Sequence, residues 1–246
     1  MTQTNFKIRL PDNIEHLPIN EEYFFLTENG QERRLKLHDY DYVYSIPGLY
    51  EYIAREILKY QSPEIMSSLL AKKVTATGLP VDELKILELG AGSGLFGNAL
   101  GKLGITSIVG IDIVPEAAVA ANREYPGVYR DYVVEDLTQL SESSKNKLKE
   151  QNFNCLVCCS ALSSDHIPVS AFKAALNLIQ EGGWVMFNIA QASYENHLNP
   201  PEFVKFYRQA IAQGSLRIDH TQVYNHRRFF NGQTLEYVAI LAKKQS

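Results

Sequence analysis

Long apolar runs are missing from this chain. Nothing in it approaches the ~18 consecutive apolar residues of a membrane-spanning helix, and the opening stretch Met1 to Lys7 lacks the apolar core of a secretory signal. The expectation is a cytoplasmic protein with no membrane partner. Positive charge is not in excess either. Lys and Arg number 24 against 28 Asp and Glu, for a net charge of −4 and a pI near 5.9. The electrostatic footprint of a nucleic-acid binder is therefore lacking, and no nucleic acid is expected as a partner. Cysteine is scarce and confined to Cys155, Cys158 and Cys159. The first two have CxxC spacing, but a structural zinc site draws on four ligands, usually from two such pairs. No second pair exists, so no metal is expected. Within Phe153-Asn-Cys-Leu-Val-Cys-Cys the thiols read as small hydrophobes of a buried strand.

What is present is an ordinary globular composition, 45% hydrophobic and 21% charged over 246 residues, ample for a full core. The most informative stretch runs from Leu84 to Leu103. An apolar run, Leu84 to Leu89, meets the cluster Gly90-Ala91-Gly92-Ser93-Gly94, and apolar residues then recur at Leu95, Phe96, Ala99, Leu100 and Leu103. This is a buried strand, a glycine loop and a helix with one apolar face. Glycine lets the backbone take unusual conformations and lets a ligand approach the main chain. The following helix start offers unpaired N–H groups and partial positive charge.

Two ligands compete for such a loop. Gly92-Ser-Gly94-Leu-Phe-Gly97 matches the dinucleotide fingerprint GxGxxG, which alone is a weak signal. That fingerprint should begin where the strand ends, however, and the first glycine there is Gly90. Read from Gly90 the loop is GxGxG, preceded two places earlier by Glu88. A carboxylate at that point repels a pyrophosphate and suits a ligand carrying an ammonium group. The pattern Leu87-Glu88-Leu-Gly90-Ala91-Gly92-Ser-Gly94 resembles motif I of the class I S-adenosylmethionine-dependent methyltransferases, and the resemblance extends as an ordered series of motifs from Leu84 to Lys243.

Downstream elements continue in the same order. Ser107 to Asp112 reads as a second strand ending in an acid eighteen residues beyond Gly94. An acid there accepts hydrogen bonds from ribose hydroxyls whichever nucleotide binds, with a helix cap as the structural alternative. Pro115 opens an alanine-rich helix, and Ile113 would flank an adenine. Tyr129 to Leu137 is a third strand and its exit. The resemblance implies that Asp136 accepts the adenine amino group and that the Leu137 N–H meets a ring nitrogen. The fourth strand, Phe153 to Cys159, exits into Ser160-Ala-Leu-Ser-Ser-Asp165-His166-Ile-Pro168. Ligands of open α/β sheets sit where the strand order reverses. The main chain near Ser160 is thus placed to hold an amino group, and His166, beside Asp165, is the candidate to meet substrate or act as a base. The family often has aspartate where this strand begins; here it is Asn154, at a position that touches no cofactor contact.

Later signals are plainer. Asn199-Pro200-Pro201 resembles the Asn-Pro-Pro-aromatic motif of amino-methylating enzymes, but that motif belongs directly after the fourth strand. Here it follows the fifth, Trp184 to Ile189, so it reads as a helix start. Phe172, Ala175, Leu176 and Ile179 predict a helix ended by Gly182-Gly183. Leu216 to Tyr224 and Leu235 to Ala242 predict a closing strand pair, with His226, Arg227 and Arg228 in the connection between them, either solvated or placed to meet an anionic substrate.

Ahead of the glycine loop, residues 1–20 read as a polar arm. Asn29-Gly30 between Tyr23-Phe-Phe-Leu-Thr and Arg33-Arg-Leu-Lys-Leu is a hairpin signal, either packed on the main domain or used for homodimerisation or gating. Five tyrosines fall within Tyr40 to Tyr52. Ser45 is placed to cap a helix bearing Leu49, Ile53, Ile57 and Tyr60, and Ser62-Pro63 to start another carrying Ile65, Leu69 and Leu70. The resemblance implies that this segment lies over the cofactor, which makes Tyr40 and Tyr44 pocket candidates.

The chain thus predicts residues 1–80 as arm, hairpin and helical cap, and 81–246 as an α/β domain with a Rossmann-like, seven-stranded, mostly parallel sheet and helices on both faces. The expected activity is methyl transfer from S-adenosylmethionine to a small molecule at oxygen, nitrogen or carbon. The expected cofactor contacts are Glu88, Gly90, Ala91, Gly92, Asp112, Ile113, Asp136, Leu137 and Ser160, and the candidate catalytic groups are His166, Tyr44 and Tyr40. The overall pattern is similar to the Williams–Beuren-region-like methyltransferases. A NAD-dependent oxidoreductase and a non-catalytic cofactor-binding partner protein are the alternatives.

Overall fold

A computed structural model describes residues 6–12, 17–162 and 166–245. The N-terminal part is an antiparallel three-stranded sheet, β1 (Phe6–Arg9), β2 (Tyr23–Glu28) and β3 (Gln31–Lys36), in that order. Asn29 (φ 51°) and Gly30 (φ 78°) both take positive φ at the β2–β3 turn, as a two-residue hairpin with primed turn geometry demands. β1 lies where the sequence suggested only an arm. Its pairing partner, Phe25 to Glu28, is some twenty residues away, so nothing local announces it. Phe24, Leu26, Leu35 and Leu37 form the inner face of this sheet and pack on the cap that follows.

That cap is α1 (Tyr40–Ser45) and α2 (Leu49–Tyr52). Ser45 ends a helix rather than starting one: its hydroxyl donates to the Tyr42 carbonyl at 2.7 Å, and left-handed Gly48 (φ 72°) separates the two helices. α2 runs on as a π-type turn over Ile53–Ile57, closed by Leu58 N–H donating to the Ile53 carbonyl at 2.9 Å. Such wide turns often mark functional sites. Next comes α3 (Ser62–Thr75), with Pro63 in its first turn. Ser62 does not cap it; its hydroxyl is taken by side chains of the far end of the chain, described below.

The main sheet alternates with helices: β4 (Lys85–Leu89), α4 (Leu95–Gly101), β5 (Ser107–Asp112), α5 (Pro115–Glu124), β6 (Asp131–Val134), α6 (Glu142–Glu150), β7 (Phe153–Cys158), α7 (Val169–Asn177), β8 (Ile179–Ala190), α8 (Gln191–Glu195), α9 (Glu202–Ala212), β9 (Leu216–Arg228) and β10 (Thr234–Lys244). Its order is β6-β5-β4-β7-β8-β10-β9. The first five of these strands are mutually parallel, and β10 runs antiparallel to both its neighbours. The order reverses between β4 and β7, where a ligand crevice is expected.

Both faces are covered. Leu87, Leu89, Leu156 and Cys158 pack toward Phe172 of α7 and Phe203 of α9, while Ile86, Cys155 and Val157 pack toward Met66 and Leu70 of α3 and Phe96 of α4. The cysteines behave as core residues, with Cys155 and Cys158 fully buried. Trp184 is buried low in β8, opposite Cys155, and the Lys243 ammonium lies 3.5 Å from its ring centroid. Asn154 clamps the start of β4, accepting from Lys85 N–H at 2.8 Å and donating to the Glu83 carbonyl at 3.0 Å. Among the described residues no helix is long and apolar enough to cross a membrane.

Two boundaries differ from expectation. Ile179 is not the end of a helix; it opens β8 by pairing with Phe153, and Gly182-Gly183 lie inside that strand. His226, Arg227 and Arg228 do not sit in a connection, because β9 extends through them and pairs Arg227 with Leu235 and Arg228 with Thr234.

Candidate functional site

The loop after β4 is bound to the end of β5. Gly90 and Ala91 N–H both donate to the Ile111 carbonyl, at 2.9 and 3.2 Å. Asp112 then holds the loop's shape: Oδ2 accepts Gly92 N–H at 2.9 Å and Oδ1 accepts Val114 N–H at 3.0 Å. Burial pushes the Asp112 carboxyl up from its ordinary range, and these N–H groups pull it back. Gly90 (φ 70°) and Gly92 (φ 53°) are confined by neighbours as well as by φ. A side chain on Gly90 would meet the Ile167 Cδ1 at 2.7 Å and Ala161 Cβ at 2.9 Å, and one on Gly92 would meet the Tyr44 hydroxyl at 2.8 Å. The glycines thus leave room for a backbone that other groups crowd.

Glu88 is 2% exposed, on the β4 face turned toward α4. Burial raises its carboxyl to about 8, against a hydrogen bond from the Tyr129 hydroxyl at 3.0 Å that lowers it. Gly97 makes that bond possible: a Cβ there would lie 2.6 Å from the Tyr129 oxygen. The third glycine of the GxGxxG string therefore serves a tyrosine, not a pyrophosphate. Tyr132 adds a hydrogen bond to the Gly92 carbonyl at 2.7 Å. Sequence reasoning missed both tyrosines, since their role depends on strand β6 lying beside β5.

A cavity of about 620 Å³ opens over this loop. Every residue named from sequence lines it: Glu88, Gly90, Ala91, Gly92, Asp112, Ile113, Asp136, Leu137 and Ser160 on the sheet side, and Tyr40, Tyr44 and His166 opposite. Asp165 lies outside the described residues. Ile113 is 65% exposed, an unusual state for a large apolar side chain placed on a cavity wall. Asp136 is exposed and accepts from Thr138 N–H and Oγ1, both at 2.8 Å, which lowers its carboxyl below the usual range. Ser160 takes a left-handed conformation (φ 61°), its N–H donating to Asn188 Oδ1 at 2.6 Å.

The opposite wall is aromatic. Tyr40 and Tyr44 are parallel with centroids 5.3 Å apart, and Tyr50 stands edge-on to Tyr44 at 5.0 Å. α1 comes this close to α5 because the buried residues of α5 under its tyrosines are the small Ala117 and Ala120. The Arg123 guanidinium donates to the Tyr44 carbonyl at 2.9 Å and fixes the contact. His166 faces His38 at 5.0 Å and Tyr40 at 5.8 Å. Burial lowers the His38 imidazole to about 4, and its Nδ1 is a buried atom without a partner.

The remaining wall was foreseen only in part. Tyr60, which lies between the π-type turn and α3, lines the cavity with His226, Arg227 and Tyr237. His226 and Arg227 were expected in a connection, solvated or meeting an anionic substrate; they are 4% and 7% exposed and belong to a strand. Arg227 is neutralised by Glu22, itself 1% exposed, whose second oxygen accepts Phe230 N–H at 2.8 Å. A local reading sees a basic cluster at the end of a strand, because the carboxylate that buries it lies 205 positions earlier.

Comparison with known proteins agrees with this geometry. A family profile described as a methyltransferase domain matches residues 57–239. No curated protein gives a significant match by sequence. Among solved structures, a S-adenosylmethionine-dependent methyltransferase from Clostridium acetobutylicum is 16% identical, with 80% of this chain and 96% of that one covered and a TM-score of 0.54. The magnesium protoporphyrin IX methyltransferase of Synechocystis, solved with bound SAM, is 16% identical over 74% of this chain and 79% of that one, TM-score 0.52. The N-methyltransferase NodS from Bradyrhizobium japonicum is 16% identical over 74% and 96%, TM-score 0.51. These likenesses speak for the Rossmann-like fold, while the profile spans most of the chain and takes in the glycine loop, Glu88 and Asp112 together. The chain belongs to the methyltransferase-domain family and is a methyltransferase.

Proposed function

We propose that the chain transfers the methyl group of S-adenosylmethionine to a small-molecule acceptor enclosed in the 620 Å³ cavity. The observation that carries this reading is Glu88: a carboxyl buried to 2% exposure and raised to about 8, beside a loop whose glycines admit a ligand. That arrangement is costly unless a cation completes it, and the cofactor's ammonium is such a cation. Asp112 retains lone pairs beyond those given to Gly92 and Val114 and faces the position of a ribose. Ile113, exposed in this state, would cover an adenine, with Asp136 and Leu137 at its edge and the main chain at Ser160 near the amino-acid end. The bound cofactor supplies an electrophilic methyl group on a sulfonium.

Methyl transfer of this kind asks the protein mainly for alignment and exclusion of water. Both come from the wall opposite the loop. His38, Tyr40, Tyr44 and Tyr50 close the cavity from above, and Asn20, Glu21 and Lys36 of the N-terminal part complete the lining. A wall built this way holds a small guest better than a polymer. The overall pattern fits the Williams–Beuren-region-like group, whose acceptor chemistry this cavity would define.

The test is calorimetric titration with S-adenosylhomocysteine and with NAD. Saturable binding of the first and none of the second is the expected result; NAD binding alone would return the protein to the oxidoreductases. Labelled methyl groups should then pass into the low-molecular-weight fraction of a metabolite extract and not into its macromolecules. The Asp112→Ala variant should lose about 1–3 kcal/mol of S-adenosylhomocysteine affinity, and unchanged affinity would remove Asp112 from the ribose site.

A further inference from the structure

A chain of buried hydrogen bonds connects the cofactor side of the cavity to His226, and counting its protons fixes the state of that imidazole. Asn188 is 1% exposed. Its Oδ1 must be the atom facing Ser160 N–H, since that partner only donates, at 2.6 Å. Its Nδ2 therefore carries both hydrogens and gives them to the Ser160 hydroxyl at 2.9 Å and the Tyr224 hydroxyl at 2.7 Å, with a longer approach to Ser62 Oγ at 3.3 Å. Tyr224, already accepting, has one hydrogen to place, and its remaining partner is Ser62 Oγ at 2.7 Å. Ser62 in turn places its single hydrogen on His226 Nδ1 at 2.7 Å. With the imidazole hydrogen on Nδ1 instead, either the Tyr224 or the Ser62 hydroxyl hydrogen would be left buried with no acceptor among the described residues. His226 Nδ1 is thus an acceptor, and its proton sits on Nε2.

The ring is locked as well as polarised. It stacks on Tyr237 with centroids 3.8 Å apart and 13° between planes, and Tyr60 stands edge-on at 5.2 Å. All three rings line the cavity. Burial, with Arg227 adjacent, pushes the imidazole well below its ordinary range, so it stays neutral and acts as a donor rather than a base. Charge on this wall is internally spent, Arg227 on Glu22 and Lys36 on Glu21. Among the described residues no unpaired ion is left there for a charged guest.

We propose that His226 presents a fixed Nε2–H to the methyl acceptor, and that the acceptor is a flat, uncharged molecule carrying an oxygen or ring nitrogen that accepts this hydrogen bond. The proposal rests on the small-molecule methyltransferase reading and narrows its substrate class. His226 then orients the acceptor from a relay that also shapes the backbone at Ser160, so one rigid network aligns both reactants.

The experiment is nitrogen-15 NMR of histidine-labelled wild-type protein saturated with S-adenosylhomocysteine, with the His226 signals assigned by their loss in His226→Gln. The expected result is the Nε2–H form at neutral pH, an Nε2–H resonance displaced by benzamide, and binding of benzylammonium or cyclohexanecarboxamide at least about tenfold weaker, or ~1.4 kcal/mol. An Nδ1–H form, an imidazolium, no displacement by benzamide, or equal binding of benzylammonium overturns the proposal while leaving the methyltransferase reading intact. Failure to bind S-adenosylhomocysteine overturns that reading instead.

Discussion

Glu88→Gln is expected to weaken S-adenosylhomocysteine binding by about a hundredfold, or ~3 kcal/mol, while making the ligand-free enzyme more stable. Both effects follow from one buried carboxyl. Burial raises it to about 8, from an unfolded value of 4.5. The folded state therefore holds a proton that the unfolded state releases between those values. Stability associated with this group is fully present below pH 4.5 and is lost progressively up to about pH 8, by as much as ~1.4 kcal/mol per unit. Glutamine does not titrate. The advantage of Glu88→Gln should accordingly open above pH 4.5, widen with pH and level off above about 8. An ammonium-bearing ligand selects the carboxylate, so binding to the parent enzyme at neutral pH releases a proton and tightens as pH rises toward 8. Calorimetry in buffers of different ionisation enthalpy reads that proton directly. A variant that binds normally, or melts alike at all pH values, would sink the assignment of Glu88 to the ammonium.

Arg227→Ala should cost about 3–5 kcal/mol of unfolding free energy, because it leaves Glu22 charged, buried and without its partner. Against a total of roughly 5–15 kcal/mol for a domain, that brings the fold near its threshold. The loss should persist at high salt, since a pair at 2% and 6% side-chain exposure is poorly screened. Urea unfolding of Arg227→Ala, Glu22→Gln and the double variant gives the coupling energy. Glu22→Gln keeps an acceptor for Phe230 N–H and should be the milder change. A loss under about 1 kcal/mol for Arg227→Ala would mean that solvent reaches the pair after all. Because Glu22 precedes β2 and Arg227 belongs to β9, the same substitutions should loosen the N-terminal sheet from the cavity it covers.

What could be read from sequence was what local spacing encodes. The strand that carries Glu88 and the glycine loop after it, the acid closing β5, and the Asn29-Gly30 hairpin each rest on neighbours a few residues apart, and each was found where expected. The core cysteines followed from the apolar setting of β7. What escaped depends on partners far along the chain. β1 needs β2 to exist, and Phe6 alone in a polar stretch does not announce a strand. The burial of His226 needs Ser62, 164 positions away, and that of Arg227 needs Glu22. Ser45 and Ser62 misled for a related reason. Each precedes a proline by one or two residues as a helix cap would, but the hydroxyl of one bonds backward to Tyr42 and that of the other is drawn into the tertiary relay. Tyr129 could have been suspected only by asking why position 97 cannot hold a side chain.

Trp184 is the chain's single tryptophan, and its place low in the sheet decides what optical methods can see. Its indole is packed in the core beneath α3 and α4 and takes no part in the cavity wall. Intrinsic emission excited at the indole band is therefore a reporter of sheet integrity: it should redden when the sheet melts and stay nearly silent as the cofactor enters. Occupancy has to be followed by other signals, and the same protein sample yields melting curves uncontaminated by ligand quenching.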